Sequence, residues 1–433
     1  MPDSLTRRAF LRLGIATSLA TAYATSGLSQ QQPKLIRLGF IGVGGRGTYL
    51  LSVALGLEGV EVPAICDIDH DHLEQALGLV QKARSQRPEG YAKGPTDYRR
   101  MLARDDLDAV IVATPMQLHA AMSVDALRAK KHVLSEVAAA VTLDECWALV
   151  RAAEASARLY MLSENCCYYR QNLMVLQMAQ AGLFGDLTLA ECGYVHDCRA
   201  LAFKPDGSLT WRGELARDLT GNLYPTHSLG PVCQWLGINR GDRLVSLTAS
   251  TSAQKGMAHY VSQNFPAGHP AAKIRFAVGD TTTTLIRTAK GAVIDLRYDT
   301  CSARPHPSTT YYTLQGVTAS YKDDGTTQQV WVEGRGKAYA WEPLANLAAD
   351  FEHPLWKRAQ EQASKTGHGG ADYFVLTEFL DAVRTGRPSP IDAYDAAAWS
   401  CIIPLSAASL RAGGAPQEIP DFTRGAWEKR RQA

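Results

Sequence analysis

The sequence lacks several features that mark particular classes of protein. Lys and Arg total 45 against 43 Asp and Glu, so the formal net charge is only +2, and no basic stripe typical of nucleic-acid binding is visible. No run reaches the roughly 18 consecutive apolar residues of a membrane-spanning helix. The nine cysteines are scattered without metal-ligand spacing. These absences favour a small-molecule partner, with no nucleic acid, no stable membrane insertion and no bound metal.

The first thirty residues have the composition of a targeting segment. The pair Arg7-Arg8 precedes a modest apolar stretch over 13–24, and small and polar residues follow it. This order resembles a twin-arginine export signal. We therefore expect residues 1–30 to be a signal peptide, the twin-arginine export machinery to be a partner, and the protein to be periplasmic or secreted. Because that route carries folded proteins, a cofactor would be bound before export.

The 433-residue length suggests two or three domains. Strands that are apolar nearly throughout alternate with helices over 34–160, which predicts a Rossmann domain with a doubly wound parallel sheet. Over 161–433 several strands alternate apolar and polar residues, which predicts a substrate-binding α+β domain with a mainly antiparallel sheet. The predicted strands of this second domain are 187–194, 243–250, 281–288, 292–299 and 311–315.

A glycine-rich turn lies between the first predicted strand and its helix. Gly42, Gly44 and Gly47 have the spacing of a dinucleotide fingerprint, and Asp67 ends the next predicted strand. The first glycine permits the tight turn, the second lets the backbone approach a pyrophosphate, and the third lets helix and strand pack closely. Asp67 can accept hydrogen bonds from ribose hydroxyls and would repel a 2′-phosphate, which favours NAD over NADP. A glycine-rich turn of a flavodoxin-like sheet is the alternative.

Two tyrosine–histidine pairs are the candidate acid–base groups. Pro225 fixes the backbone between Tyr224 and His227, which follow a predicted turn. Tyr194 and His196 alternate along a predicted strand and therefore share a face. A phenol and an imidazole suit the removal of a proton from a hydroxyl, or from a carbon beside a carbonyl. Each residue alone would be read as an ordinary tyrosine or histidine, but both pairs beside a dinucleotide crevice indicate a catalytic site.

The order of segments 114–119 and 134–137 resembles the Gfo/Idh/MocA oxidoreductase superfamily. That superfamily usually has Glu-Lys-Pro in the second segment, where the lysine assists hydride transfer, whereas here Glu136 is followed by Val137. The second domain is similar, more narrowly, to glycoside hydrolase family 109, a family of NAD-dependent α-N-acetylgalactosaminidases. The motifs that carry this resemblance lie at 162–168, 182–185, 194–197, 221–227, 239–243 and 368–372.

The resemblance implies contacts to NAD at Gly45, Arg46, Asp67, Met116, Gln117, Leu118, His119, Glu136, Val137 and Asn165. It implies a sugar site at Tyr194, Arg212, Tyr224 and His227, to which we add the neighbouring residues His196, Pro225 and Thr226. One position departs from the family, because His306 follows Arg-Pro where the family has tyrosine. We place His306 in the substrate site, since an imidazole can still hydrogen-bond a hydroxyl, and leave the sugar, its anomer and its 2-substituent open.

These residues predict a redox-assisted elimination. The hypothesis is oxidation of the sugar at C3 by tightly bound NAD, loss of the aglycone from C1, addition of water, and reduction, so that the cofactor is recycled. His227, with Tyr224 beside it, would remove the O3 proton, and Tyr194 would remove the C2 proton. The ordinary two-carboxylate route has candidates in Asp197, Asp218 and Asp280, but it gives a dinucleotide site no use.

Two other functions stay open from the sequence. One is a sugar oxidoreductase similar to the periplasmic glucose–fructose enzyme, and the other is a non-catalytic sugar-binding protein that keeps NAD as a structural component. A homodimer also stays open, because half-exposed antiparallel sheets often pair face to face.

Overall fold

The computed structural model describes residues 33–305 and 309–431. The predicted signal peptide at 1–30 and the predicted substrate residue His306 lie outside the described residues. The chain from Lys34 onward forms one compact unit. No helix within the described ranges combines the length and the apolar composition needed to cross a membrane.

The first half of the chain alternates strands with helices. The strands are β1 (Ile36–Ile41), β2 (Val60–Cys66), β3 (Glu89–Tyr91), β4 (Ala109–Val112), β5 (His132–Ser135) and β6 (Tyr160–Leu162). The helices are α1 (Gly45–Leu55), α2 (His70–Arg84), α3 (Tyr98–Leu102), α4 (His119–Arg128) and α5 (Leu143–Ser156). All strand pairs are parallel, and the order β3-β2-β1-β4-β5-β6 is that of the predicted doubly wound dinucleotide-binding sheet.

The burial of the central strands explains this architecture. β1 and β4 consist almost entirely of buried residues, as parallel strands do when helices cover both faces of their sheet. Because all six strands run in the same direction, their carboxyl ends meet at one edge. The turns that follow β1, β4 and β5, at 42–44, 113–118 and 136–142, therefore lie side by side and form a crevice.

The sequence predicts the second sheet only in part. Its strands are β7 (Leu187–Val195), β8 (Leu244–Thr251), β9 (Thr281–Thr288), β10 (Val293–Asp299), β11 (Thr310–Gly316), β12 (Ala319–Asp323), β13 (Gln328–Val332), β14 (Glu342–Pro343) and β15 (Gln417–Glu418). The order is β14-β13-β12-β11-β7-β10-β9-β8-β15, and the pairs are antiparallel except for the parallel pair of β7 with β10. All five predicted strands are present, while β12 to β15 were not predicted.

The remaining helices pack around the two sheets. They are α6 (Arg170–Gln180), α7 (Trp211–Asp218), α8 (Thr226–Trp235), α9 (Gly256–Asn264), α10 (Ala348–Phe351), α11 (Pro354–Ala363), α12 (Ala371–Thr385), α13 (Ala393–Ser400) and α14 (Ile402–Arg411). α8 packs on β7 and β11, so it lies on the covered face of the second sheet. The sequence predicts a turn at Gly221-Asn222, and the structure places His227, which follows it, in the first turn of α8.

The C-terminal helices return to the first sheet. The backbone N–H of Gly367 donates to the Tyr49 hydroxyl on α1, and the Arg384 guanidinium donates to the Glu58 carbonyl at 2.9 Å. The backbone N–H of Leu162 in β6 donates to the Ile391 carbonyl at 3.0 Å. Residues far apart in sequence therefore contribute to the same crevice.

Candidate active site

A cavity of about 540 Å³ lies over the carboxyl ends of β1, β2 and β4, and Gly42, Gly44 and Gly45 line it. Gly42 has φ +88°, and a Cβ there would lie 2.7 Å from the Ala113 carbonyl oxygen. A Cβ at Gly47 would lie 2.0 Å from the Gly42 carbonyl oxygen. The turn is therefore built for glycine at 42 and 47, whereas 44 and 45 keep the cavity floor free of side chains.

The chemistry of this cavity fits a dinucleotide. Gly44 caps α1 without a side-chain hydrogen bond, so the first N–H groups of the helix are left for an anion such as a pyrophosphate. Three buried side-chain atoms around the crevice have no hydrogen-bond partner in the protein: Arg46 Nη1, Gln117 Oε1 and Asn165 Oδ1. They offer one donor and two acceptors, the set that phosphate, amide and hydroxyl groups of a nicotinamide dinucleotide require.

Asp67 follows β2 and lines the same cavity. Its Oδ2 accepts the Val43 backbone N–H at 2.7 Å, and its Oδ1 accepts the Asp69 backbone N–H at 2.9 Å. Each carboxylate oxygen has a second lone pair, so both can still accept from ribose hydroxyls. The same side chain therefore fixes the glycine-rich turn and presents negative charge to the ribose.

Arg46 connects three distant segments of the chain. Its Nε donates to Glu136 Oε1 at 2.8 Å, and its Nη2 donates to Asp372 Oδ1 at 2.7 Å. Asn165 Nδ2 donates to the same Asp372 oxygen at 3.4 Å. Burial lowers the pKa of Arg46, but the carboxylates of Glu136 and Asp372 outweigh it and raise that pKa above its usual value. Arg46 is therefore held as a cation, and its Nη1 atom has no hydrogen-bond partner in the protein.

The predicted cofactor segment at 116–119 contains both interior and cavity residues. Leu118 is exposed and lines the cavity, while Met116 is buried. His119 is also buried, with Nδ1 and Nε2 each 2.8 Å from a backbone carbonyl, of Ala138 and Thr114 respectively. The ring of His119 therefore holds the turns after β4 and β5 together. Val137 is buried in the second of these turns.

A second, narrower cavity adjoins the first. Its lining includes the predicted substrate residues Tyr194, Arg212 and Tyr224, together with Trp211, Tyr298 and Thr300. Trp211 and Arg212 line both cavities, so the two spaces meet at the start of α7. No carboxylate is among the described residues that line the second cavity.

Three rings form a triangle at this cavity. The ring centres of Tyr194, Tyr224 and His227 are 5.1 to 5.5 Å apart, and Tyr194 Oη lies 3.1 Å from His196 Nδ1. Burial raises the pKa of Tyr194 well above its usual value, so the phenol is neutral at neutral pH. The predicted neighbours Pro225 and Thr226 are buried, and Thr226 Oγ1 has no hydrogen-bond partner in the protein.

Arg212 is a cation at the junction of the two cavities. Its guanidinium lies 4.3 Å from the centre of the Trp211 ring and 5.7 Å from that of Tyr224. Burial lowers the pKa of Arg212, but Tyr224 and Tyr194 raise it above the usual value. Among the ion pairs found in the described residues, none includes Arg212.

His227 is bonded to a carboxylate that the sequence did not single out. Its Nδ1 lies 2.7 Å from Glu164 Oε1. Burial lowers the pKa of His227, but Glu164 outweighs it and raises that pKa well above its usual value. The ligand atoms of Glu164, Cys166 and His227 lie within 4.8 Å of one another. The Oε1–Nδ1 separation is shorter than the about 3.3 Å expected between two ligands of a tetrahedral zinc ion, so the carboxylate and imidazole bind each other here.

The candidate carboxylates of the two-carboxylate route are engaged elsewhere. Asp197 pairs with Arg199 at 2.8 Å, and this hydrogen bond lowers the pKa of Asp197. Asp218 pairs with its exposed neighbour Arg217, and Asp280 accepts backbone N–H groups at the start of α9. None of the three lines the second cavity.

Comparison with known proteins assigns the family. A family model described as "Glycosyl hydrolase 109, C-terminal domain" matches residues 168–429, more than half of the chain. The chain belongs to glycosyl hydrolase family 109. A second model, "Oxidoreductase family, NAD-binding Rossmann fold", matches residues 36–164. The predictions of the family, of an NAD-binding Rossmann domain and of a glycoside hydrolase are thereby confirmed.

Relatives of this family 109 protein extend over its whole length. A glycosyl hydrolase family 109 protein of Solibacter usitatus is 38% identical, and an alpha-N-acetylgalactosaminidase of Tannerella forsythia is 36% identical, each over 99% of both chains. Among solved structures, a levoglucosan dehydrogenase in complex with NADH and levoglucosan superposes with a TM-score of 0.70 at 19% identity, covering 89% of this chain and 100% of the other. An aldose-aldose oxidoreductase of Caulobacter crescentus superposes with a TM-score of 0.63 at 17% identity, covering 89% and 100%. These structures share the fold of the family 109 protein.

Two residues of this family 109 site were missed from the sequence. Glu164 and Asp372 lie inside motifs that carried the family resemblance, but nothing in those motifs gave either residue a role. The signal that could have singled them out is an acidic residue within an otherwise apolar stretch, as Asp372 lies in the first turn of α12 and Glu164 follows β6. Such a carboxylate needs a partner when it is buried.

Proposed function

We propose that this family 109 protein releases a terminal N-acetylgalactosamine, or a related hexose, by an oxidation–elimination–addition–reduction cycle with recycled NAD. The observation that carries the proposal is the junction of the two cavities at Trp211 and Arg212. It brings the Tyr194–Tyr224–His227 triangle, defined by those three rings, next to the dinucleotide cavity. The named activity of the Tannerella forsythia relative supports the choice of sugar.

Arg46, Asp67, Gln117 and Asn165 would hold the dinucleotide through the unpaired atoms and carboxylate described above. Bound NAD supplies reversible oxidation at C3 of the sugar, which acidifies the C2 proton and permits elimination at C1. The absence of a carboxylate among the described residues of the sugar cavity supports this route over direct displacement by a carboxylate pair.

His227 is the group that takes the O3 proton. It has one ring nitrogen bonded to Glu164, so the other nitrogen is left for the sugar hydroxyl. Tyr224 packs edge-on against the His227 ring at 5.1 Å between centres and confines its orientation.

Tyr194 is the group that takes the C2 proton. A neutral phenol is a weak base, so Tyr194 accepts this proton only as its own proton moves to a second base. His196 Nδ1, at 3.1 Å from the hydroxyl oxygen, is placed to receive it. Burial holds the pKa of Tyr194 well above its usual value, and the nearby Arg212 cation opposes that rise, which favours the transfer.

The test uses the purified enzyme and nitrophenyl N-acetyl-α-galactosaminide deuterated at C2. We expect the released sugar to have exchanged its C2 deuterium for solvent hydrogen, because elimination breaks the bond between C2 and deuterium. Full retention of deuterium in the product would contradict the proposed cycle. Oxidised sugar without release of nitrophenol would instead favour the sugar oxidoreductase.

We also propose that the protein is exported by the twin-arginine route. The paired arginines and the apolar stretch at 13–24 support this proposal. Cell fractionation of the full chain tests it: we expect activity outside the cytoplasm for the natural sequence and in the cytoplasm for a variant with Arg7→Lys and Arg8→Lys together. Equal distribution of the two would contradict it.

A further inference from the structure

Glu164 is bonded to His227, whose ring packs against two residues of the sugar cavity, Tyr194 and Tyr224. Its side chain is completely buried, whereas 18% of the His227 side chain is exposed. Glu164 Oε1 accepts from His227 Nδ1 at 2.7 Å and from the backbone N–H of Cys166 at 3.1 Å. Of these two side chains, the partly exposed imidazole is therefore the one that a ligand can contact.

The surrounding backbone fixes both side chains. Gly230 lies one turn after His227 in α8, and a Cβ at that position would be 3.0 Å from Glu164 Cγ. The Tyr312 hydroxyl donates to the His227 backbone carbonyl at 2.6 Å. The missing side chain at 230 gives the carboxylate its place against the helix, and Tyr312 holds the first turn of that helix in register. The pair is thus held by packing as well as by its own hydrogen bond.

We propose that Glu164 is a positioning residue that keeps the Nδ1–H tautomer of His227 and stabilises the imidazolium formed during proton removal. With Nδ1–H bonded to Glu164, Nε2 offers its lone pair to the sugar hydroxyl at a pH above the raised pKa of His227, so His227 acts as a base on the alkaline side of that pKa. In that step the sugar O–H bond breaks, an N–H bond forms at Nε2, and the freed electron pair becomes the second C3–O bond. The C3 hydrogen leaves with its own electron pair for the oxidised dinucleotide. This inference rests on the proposed function, because it takes His227 as the base.

Glu164 is the anion among the groups that face His227. The others are Cys166 from the same turn, Tyr194 from β7 and Tyr224 from the segment before α8. Burial raises the pKa values of the Cys166 thiol and the Tyr194 phenol, so both are neutral at neutral pH. Arg212, the nearby cation, lies 5.7 Å from the centre of the Tyr224 ring. The charge that stabilises an imidazolium at His227 therefore comes from Glu164.

The variant Glu164→Gln, studied as the NAD-loaded enzyme, tests the proposal. We expect kcat/KM to fall about 10²- to 10⁴-fold, the range over which positioned acid–base groups act. We also expect the acidic limb of the pH–rate profile to move to lower pH, because loss of the carboxylate lowers the pKa of His227. A limb at the same pH as in the natural enzyme would overturn the proposal.

A matched variant and a double variant separate positioning from structural damage. Asp395→Asn removes another buried carboxylate, which pairs with Arg240 at 2.6 Å. This variant should lower the free energy of unfolding without moving the acidic limb of the pH–rate profile. In a His227→Gln background, adding Glu164→Gln should lower kcat/KM by a further factor of less than about three. An additive loss would overturn the role of Glu164 while leaving the proposed function intact. Full activity of His227→Gln alone would contradict the proposed function itself.

A measurement on the natural enzyme covers the case in which Glu164→Gln does not fold. Nitrogen NMR of labelled protein reports which ring nitrogen of His227 carries hydrogen, and the His227→Gln variant assigns the signal. We expect Nδ1 to be protonated at every pH at which the enzyme is active. A neutral ring with hydrogen on Nε2 would overturn the proposal.

Discussion

Asp372 Oδ1 accepts a hydrogen bond from Arg46 Nη2 at 2.7 Å, although 326 residues separate the two in sequence. His368 Nδ1 lies 2.6 Å from the other oxygen of the same carboxylate. Arg46 follows the glycine-rich turn of the cofactor cavity, while Asp372 lies in the first turn of α12. The C-terminal region therefore supports the dinucleotide site directly.

Asp372→Asn should weaken both the fold and cofactor retention. Loss of one carboxylate from this buried network costs up to about 3 kcal/mol, since Arg46 then keeps Glu136 as its carboxylate partner. We expect a lower free energy of unfolding and less nucleotide in the purified protein, measured by chemical denaturation and by absorbance of the released compound. The exposed Asp381, which is 3.5 Å from Arg384, gives the control variant Asp381→Asn. Equal nucleotide content in both variants would contradict the supporting role.

The same pair predicts a pH dependence of stability. Burial raises the pKa of Asp372, but hydrogen bonds from His368 and Arg46 outweigh it, and the net shift is downward. A carboxylate with a lowered folded-state pKa stabilises the protein above its unfolded value of about 3.9, and this contribution is lost as the pH falls through the folded value. The melting temperature of the natural enzyme should therefore fall more steeply below about pH 4 than that of Asp372→Asn. Parallel melting curves would contradict this.

Gly45 and Gly47 should respond differently to alanine. A Cβ at Gly47 would lie 2.0 Å from a backbone carbonyl oxygen, whereas a Cβ at Gly45 would meet no protein atom within 4 Å. Gly47→Ala is expected to destabilise the fold by about 3 kcal/mol, because backbone must move. Gly45→Ala should keep the melting temperature of the nucleotide-free protein but lose affinity for NAD, measured by calorimetry. Unchanged NAD affinity of Gly45→Ala would contradict the placement of the dinucleotide over this helix.

The sequence predicts the parts of the molecule that depend on local pattern. The alternation of buried strands and helices predicts the first sheet, and the glycine spacing with Asp67 predicts the turn that lines its cavity. β3 was not predicted, because its three residues include two exposed ones and carry no periodicity. The strand at Gln417–Glu418 pairs with β8, from which it is separated by more than 160 residues, and its two residues show no pattern of their own.

The site itself could be predicted only up to the residues that face the ligand. Tyr194, Tyr224 and His227 have reactive side chains in motifs, whereas Glu164 acts through a contact made 63 residues away in sequence. Arg46 was predicted as a cofactor contact, but its pairing with Asp372 becomes visible only when α12 is placed against α1. Buried pairings of this kind depend on tertiary packing, which no local spacing encodes.

Arg212→Met should separate function from stability. Arg212 is half-buried and stacks on Trp211, and no carboxylate pairs with it among the ion pairs of the described residues, so its removal leaves no unpaired anion behind. Methionine keeps much of the apolar stem, and the free energy of unfolding should change by less than about 1 kcal/mol. The loss should instead appear in turnover, because Arg212 lines both cavities and opposes the rise that burial causes in the pKa of Tyr194. Arg240→Met is the matched control: Arg240 binds both oxygens of the buried Asp395, at 2.7 and 2.6 Å, so its removal should cost about 3 kcal/mol or more. Denaturation and steady-state kinetics on both variants check the contrast, and a stability loss in Arg212→Met equal to that in Arg240→Met would show that Arg212 is a structural cation.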